Sequence, residues 1–318
     1  METRDFGRLG PVSALTLGGG GIGGVLGPTD RAEAVATVHA ALDAGITSLD
    51  VAPTYGIDSE AEQVVGAALR KRPAPEVMIT TKVELPDDEY DDLSGRMRSS
   101  LEASLRRLGR NHVDLFLAHS QLRPAGSELT VPRTLGWERY VDEVVPTFTR
   151  LQDEGLIRGW GLTAVGYPSA ILAAVATDPR PYAAQMVVNA LDLSGDMWIF
   201  GDAGEPQNPA LVTAAAEAGV PVMAIRAVAS GALTDQLDRE PNHPTRQDYV
   251  RAAGFRALAA DLGETPAALA HRYALSMTGV STVVLGVKNR RELAEVVTAE
   301  AAGPLSTDEM QAIGALRA

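Results

Sequence analysis

Short apolar runs and helix-periodic stretches alternate along the chain. The runs at Ala14–Leu17, Thr47–Asp50, Val77–Thr81, Val113–Ala118, Gly159–Thr163, Gln185–Val188, Val222–Ile225 and Thr282–Leu285 read as buried strands. Between and after them, helical patterns fall at Arg31–Asp43, Glu60–Arg70, Leu93–Leu108, Tyr140–Glu154, Ser169–Ala176, Pro209–Ala218, Thr265–Ser276 and Arg290–Thr298. Helix ends carry their own signals. Asp30 suits an N-cap, Pro266 follows Thr265 at a first helical position, and Gly45 and Gly219 stop helices just before strands. Two segments stand outside the alternation: Gln247–Leu262 before the seventh helix, and a helix from about Thr307.

Strict β/α alternation predicts a parallel sheet with helical crossovers. Eight such units in 318 residues fit a closed (β/α)8 TIM barrel in the α/β class, one domain over 1–318. Phe6–Val12 then forms an N-terminal β-hairpin lid under the barrel, with extra helices before helix 7 and at the C-terminus.

Composition narrows the chemistry. With 28 Lys+Arg against 41 Asp+Glu the formal charge is −13, which argues against nucleic acid as a partner. There is no cysteine, so thiolate nucleophiles, disulfides and Cys-based metal sites are excluded. Met1–Asp5 is charged where a signal peptide needs an apolar run, and no apolar stretch reaches membrane-spanning length. A cytoplasmic protein with no membrane partner is the expectation. His39, His112, His243 and His271 lack metal-ligand spacing. The sequence gives no oligomer signal.

Leu17–Gly24 is a glycine run in which Gly19, Gly21 and Gly24 satisfy G-x-G-x-x-G. In a Rossmann unit the last glycine must open a helix. Here Val25–Thr29 intervenes and no acidic residue follows at the required distance. A glycine loop bringing backbone close to a ligand at a barrel mouth explains the same residues.

A second signal is a distribution. Asp50, Lys82 and His119 each sit at the C-terminal end of an apolar run, and Tyr55 follows Asp50 by five residues. The C-terminal rim is where barrel active sites assemble. A tyrosine beside a lysine has its phenolate favoured and its pKa lowered toward the working range; a buried aspartate keeps the lysine charged. A histidine nearby fixes a carbonyl oxygen. Such a set protonates an oxyanion, and the hydride must come from elsewhere.

These residues resemble the aldo-keto reductase superfamily. The strings are Asp50-Val51-Ala52-Pro53-Thr54-Tyr55-Gly56, Thr80-Thr81-Lys82, Asp114-Leu115-Phe116-Leu117-Ala118-His119 and Val284-Leu285-Gly286-Val287-Lys288-Asn289, and the likeness spans essentially the whole chain. It implies Asp50, Tyr55, Lys82 and His119 as the catalytic tetrad, and an extended NADP(H), or NAD(H), across the barrel mouth. The same resemblance puts Gly20, Asp50, Thr163, Gln185, Ile225, Arg226, Val228, Ser230, Gly231, Leu233, Gly286, Lys288, Asn289 and Glu295 at the cofactor, with Gln185 on the carboxamide and Lys288 on a 2′-phosphate. Glu292 would oppose that phosphate.

Two positions depart from the family pattern: Thr163-Ala164 stands for Ser-Asn, and Ile225 for a stacking aromatic. Each loss weakens cofactor binding by about 0.5–1.5 kcal/mol. Gly161–Pro168 is similar to sugar dehydrogenases of the superfamily. Three activities therefore stand open: carbonyl reduction with Tyr55 as acid, NAD-dependent aldose or alcohol oxidation with Tyr55 as base, and a non-catalytic dinucleotide sensor. The substrate is a small carbonyl compound or sugar. Its walls are expected in Ser120–Trp137, in Leu191–Gln207, with Trp198 and Phe200 as pocket residues, and in the C-terminal segment.

Overall fold

The computed structural model describes residues 1–129, 131–237 and 242–317. Eight parallel strands close into a barrel: β1 (Leu15–Gly18), β2 (Ser48–Asp50), β3 (Met78–Val83), β4 (Val113–Ala118), β5 (Ile157–Thr163), β6 (Ala183–Val187), β7 (Val222–Ile225) and β8 (Val280–Leu285). Each pairs with the next in sequence, and β8 returns to β1 with Val283 opposite Leu15. The sheet therefore has no free edge.

The outer helices are α1 (Arg31–Asp43), α2 (Glu60–Lys71), α3 (Leu93–Leu108), α4 (Val145–Asp153), α5 (Pro168–Ala176), α6 (Asn208–Glu217), α7 (Pro266–Ser276) and α8 (Arg290–Ala301). The expected caps form. Asp30 accepts from Glu33 N–H at 3.1 Å and Thr265 from Ala268 N–H at 3.1 Å. Gly45 and Gly219 take the positive φ that ends a helix. The stretch expected as one helix over 140–154 is instead a π-helical turn, Tyr140–Val144, leading into α4. Pro146 explains the change, since it brings no N–H to the ladder. The segment over 247–262 is two helices, Thr245–Arg251 and Ala253–Asp261.

An antiparallel hairpin, Thr3–Asp5 with Pro11–Ser13, stands at the N-terminal end of the barrel. Its Phe6, Leu9 and Val12 pack with Met78, Leu115, Leu117 and Met223 in the barrel interior. This apolar plug fills the lower barrel, so polar side chains collect at the opposite, C-terminal mouth. No helix among the described residues is long and apolar enough to cross a membrane.

Candidate active site

Strand ends and the loop after β2 bring five polar side chains, Asp50, Tyr55, Lys82, His119 and Gln185, into one cluster. Lys82 Nζ donates to Asp50 Oδ2 at 2.6 Å and to the Val51 carbonyl at 2.9 Å. Gln185 reaches from β6, across the mouth, and donates to the other Asp50 oxygen at 2.6 Å. Asp50, Lys82 and Gln185 are 1%, 0% and 2% exposed, so these charge-assisted bonds are sheltered from water. Lys82 Nζ also lies 4.7 Å from the Tyr55 ring centroid, and His119 meets that ring edge-on with centroids 5.8 Å apart.

The electrostatics fix protonation states. Burial opposes the Lys82 charge, but Asp50 and Tyr55 together outweigh it, so the ammonium persists beyond its usual range. The expectation for Tyr55 is corrected. Burial pushes its phenol above the ordinary value, outweighing the pull of Lys82 and Arg226. Asp50 adds to the rise, because the lysine that should stabilise a phenolate already faces a carboxylate. Burial and the neighbouring Lys82 charge push the His119 imidazole down to about 3, so the ring is neutral. Its Nδ1 is buried without a partner.

The glycine run supports this cluster. A Cβ on Gly18 would sit 2.3 Å from the Leu285 carbonyl oxygen, and one on Gly21 2.0 Å from that of Val287. One on Gly23 would lie 2.7 Å from the Tyr55 carbonyl, and Gly56, at φ 90°, would put one 2.1 Å from Gly23 O. The run was expected to approach a ligand; at these positions it brings backbone against backbone, bracing the Tyr55 loop. Gly20 and Gly24 are the exceptions: Gly20 is half-exposed, where a Cβ would lie 3.7 Å from Leu26, and Gly24 is exposed.

Several of the residues expected at the cofactor end or directly follow barrel strands. Thr163 is the register partner of Gln185, and its hydroxyl is buried with no partner, an orphan that a polar group such as an amide would satisfy. Ile225 ends β7. Arg226 follows at φ 60° and pairs with Asp196 at 2.7 Å. The turn from Val228 to Leu233 is closed by its own backbone: Gly231 N–H and Leu233 N–H both donate to Val228 O, and Ser230 sits at φ 56°. Leu233 is buried.

Beyond Gly286, Asn289 caps α8 by accepting from Glu292 N–H at 3.0 Å. Glu292 accepts from Lys288 N–H at 2.9 Å and lies 3.8 Å from its ammonium. Glu295 is bonded to the Thr265 hydroxyl at the start of α7. Among these groups the unpartnered Thr163 hydroxyl fits a dinucleotide, through its amide.

Beside His119 opens a cavity of about 470 Å3, lined among others by Glu84, Gln121, Arg133 and Ile199. Trp198 and Phe200, expected as pocket residues, do not line this cavity; Trp198 lines a separate small pocket with Ala164, Met197 and Leu211. Phe200 is buried against Tyr167 and Trp198, and the Trp198 indole N–H donates to Gly201 O at 3.0 Å. Ile199, between them, faces the cavity instead. Gln121 and Arg133 fall in the Ser120–Trp137 segment expected to wall the pocket, whereas Glu84 was missed because it lies beyond a strand end, although side-chain alternation extended past Lys82 points to it.

Comparison with known proteins adds the decisive observation: the Aldo/keto reductase family profile matches residues 14–318. The chain belongs to the aldo/keto reductase family. L-galactose dehydrogenase of Arabidopsis thaliana is 28% identical over 304 residues, 94% of this chain and 88% of that protein. A putative voltage-gated potassium channel subunit beta of Schizosaccharomyces pombe is 29% identical over 93% of this chain and 87% of its own length. Among solved structures, an aldo-keto reductase from Bacillus halodurans in its holo form superposes with a TM-score of 0.73 at 24% identity, covering 100% of this chain and 97% of the other. These establish the aldo/keto reductase barrel and an NAD(P)-dependent oxidoreductase acting on a small molecule.

Proposed function

We propose that the protein reduces an aldehyde or ketone to an alcohol with NADPH, Tyr55 acting as general acid. The observation that carries this reading is the geometry of the cluster: the Lys82 ammonium lies 2.6 Å from the buried Asp50 carboxylate and 4.7 Å from the centre of the Tyr55 ring, and the His119 ring meets that of Tyr55 edge-on. A phenol that keeps its proton suits donation to a developing oxyanion.

Thr163 and Gln185 would hold the carboxamide end of the cofactor, the turn over 228–233 with Arg226 its phosphates, and Lys288 and Asn289 its adenosine end. When bound, the reduced dinucleotide supplies the hydride, and with it both electrons, to the carbonyl carbon. His119 orients the carbonyl oxygen, Tyr55 gives it the proton, and Lys82 offsets the negative charge left on the phenol. Lys82 supports the choice of NADPH no further than the mouth; that choice rests on Lys288, whose charge stands at the start of α8.

A second reading, oxidation of a sugar hydroxyl with Tyr55 as base, draws on the likeness to L-galactose dehydrogenase. It needs the phenolate, which burial opposes.

The test follows NADPH oxidation by a short aldehyde in wild type and Tyr55→Phe, with cofactor binding read by tryptophan quenching. Turnover is expected to fall by about 10²–10⁴-fold, with cofactor affinity nearly unchanged. Equal turnover in the variant overturns the role of Tyr55. Binding without turnover in either direction would instead favour a sensor.

A further inference from the structure

Side chains two apart on a strand share a face. Carried past the ends of two neighbouring strands, that rule sets a second polar layer above the first. Glu84 stands two residues beyond Lys82, and Gln121 two beyond His119. β3 and β4 run in parallel register with Val83 opposite Ala118, and His119 N–H donates to Val83 O at 2.8 Å, so the two extensions lie side by side. Of the residues between them, Val83 joins the core, and Ser120, which also touches the cavity, has its buried hydroxyl engaged by Leu85 N–H at 2.7 Å. Glu84 and Gln121 therefore line the same cavity as His119.

This layer is built to accept hydrogen bonds. The Gln121 amide nitrogen is spent on the Met197 carbonyl at 2.8 Å, while its amide oxygen is buried with no partner. One oxygen of Glu84 meets Arg133 Nη2 at 3.0 Å. Arg133 also serves Glu89 at 2.9 Å, so a single cation lies between two carboxylates and the local balance stays negative. A ligand hydroxyl satisfies such acceptors. A bare alkyl chain leaves the Gln121 oxygen orphaned, and a carboxylate meets like charge.

We propose that Glu84 and Gln121 read hydroxyl groups on the substrate. The cavity then takes an uncharged hydroxylated carbonyl compound in preference to an unsubstituted or an anionic aldehyde. This rests on the reading of Tyr55 and its neighbours as the reaction centre, and it adds two specificity-determining residues to that site.

The experiment compares kcat/KM for glyceraldehyde, propanal and succinic semialdehyde in wild type, Glu84→Gln and Gln121→Leu, with thermal melts of each protein. Wild type is expected to favour glyceraldehyde over both others by about 10-fold or more, since a site that bonds a hydroxyl rejects the analogue lacking it. Each variant should cut the glyceraldehyde-to-propanal ratio by about fivefold or more, chiefly through KM. A wild-type preference for propanal or for succinic semialdehyde overturns the proposal, as does a ratio unchanged in both variants. If one variant melts early, the other decides, because the two follow different strands. Should wild type turn over none of the three, the reductase reading falls first and takes this inference with it; reduction of all three without preference sinks the inference alone.

Discussion

The Lys82 ammonium lies 2.6 Å from the Asp50 carboxylate, and neither side chain reaches solvent. Removing one partner strands the other, at a cost of about 3–5 kcal/mol. Asp50→Asn and Lys82→Met should each destabilise the fold by about that much, and the double variant by clearly less than their sum. Denaturant melts of all four proteins measure the coupling; strict additivity would contradict it.

Two buried histidines set the acid limb of stability. Burial lowers His119 to about 3, and His271 is lowered too, mainly by burial. The unfolded chain takes up protons near pH 6.5 that the folded state refuses. Stability is therefore present above that pH and lost as pH falls, by about 1.4 kcal/mol per pH unit for each such group. His119→Asn should remove one proton's share of the slope between about pH 6.5 and 4. An identical slope in the variant would count against the neutral ring.

For Tyr55 the shift is upward, so the phenol stays protonated through neutrality. The reductive kcat/KM should be level across the neutral range and fall only above about pH 10. An inflection near pH 7 absent from Tyr55→Phe would instead report a lowered phenol.

Gly56 cannot accept a side chain. Its φ is 90° and a Cβ would meet the Gly23 carbonyl at 2.1 Å. Gly56→Ala should cost about 2–4 kcal/mol through overpacking and backbone strain. Because it displaces the loop of Tyr55, kcat should fall more than cofactor affinity. Wild-type kcat with a lowered Tm would show that the loop adjusts without moving the hydroxyl.

Lys288→Ala should raise the Kd for NADPH by about 5–30-fold, the loss of one charge-assisted contact, and leave NADH nearly unaffected. Equal effects on both cofactors would place the 2′-phosphate elsewhere.

The barrel was legible because its strands are apolar runs of the right length, bounded by caps. Val113–Ala118, Val222–Ile225, Arg31–Asp43 and Leu93–Leu108 coincide with their expected limits. β5 begins two residues earlier than its apolar pattern, because Arg158 points outward to pair with Asp114 at 2.9 Å and disguises the strand. At the site, Asp50, Lys82 and His119 were readable as polar residues closing apolar strands. The sign of the Tyr55 shift was not, since burial in three dimensions has no local signature. Nor was the turn of Ile199 into the cavity, where the larger aromatic neighbours drew the eye.

The contacts of Gly18 with Leu285 and Gly21 with Val287 join residues more than 260 positions apart, at the seam where β8 meets β1. The same glycine run braces the loop of Tyr55 through Gly23, which packs against the Tyr55 carbonyl and against Gly56. The hydroxyl proposed as the proton donor is thus propped by the final strand of the barrel. A nascent chain that lacks β8 has every residue of the proposed tetrad and no buttress for its tyrosine, so the proposed site is completed in the same event that closes the ring.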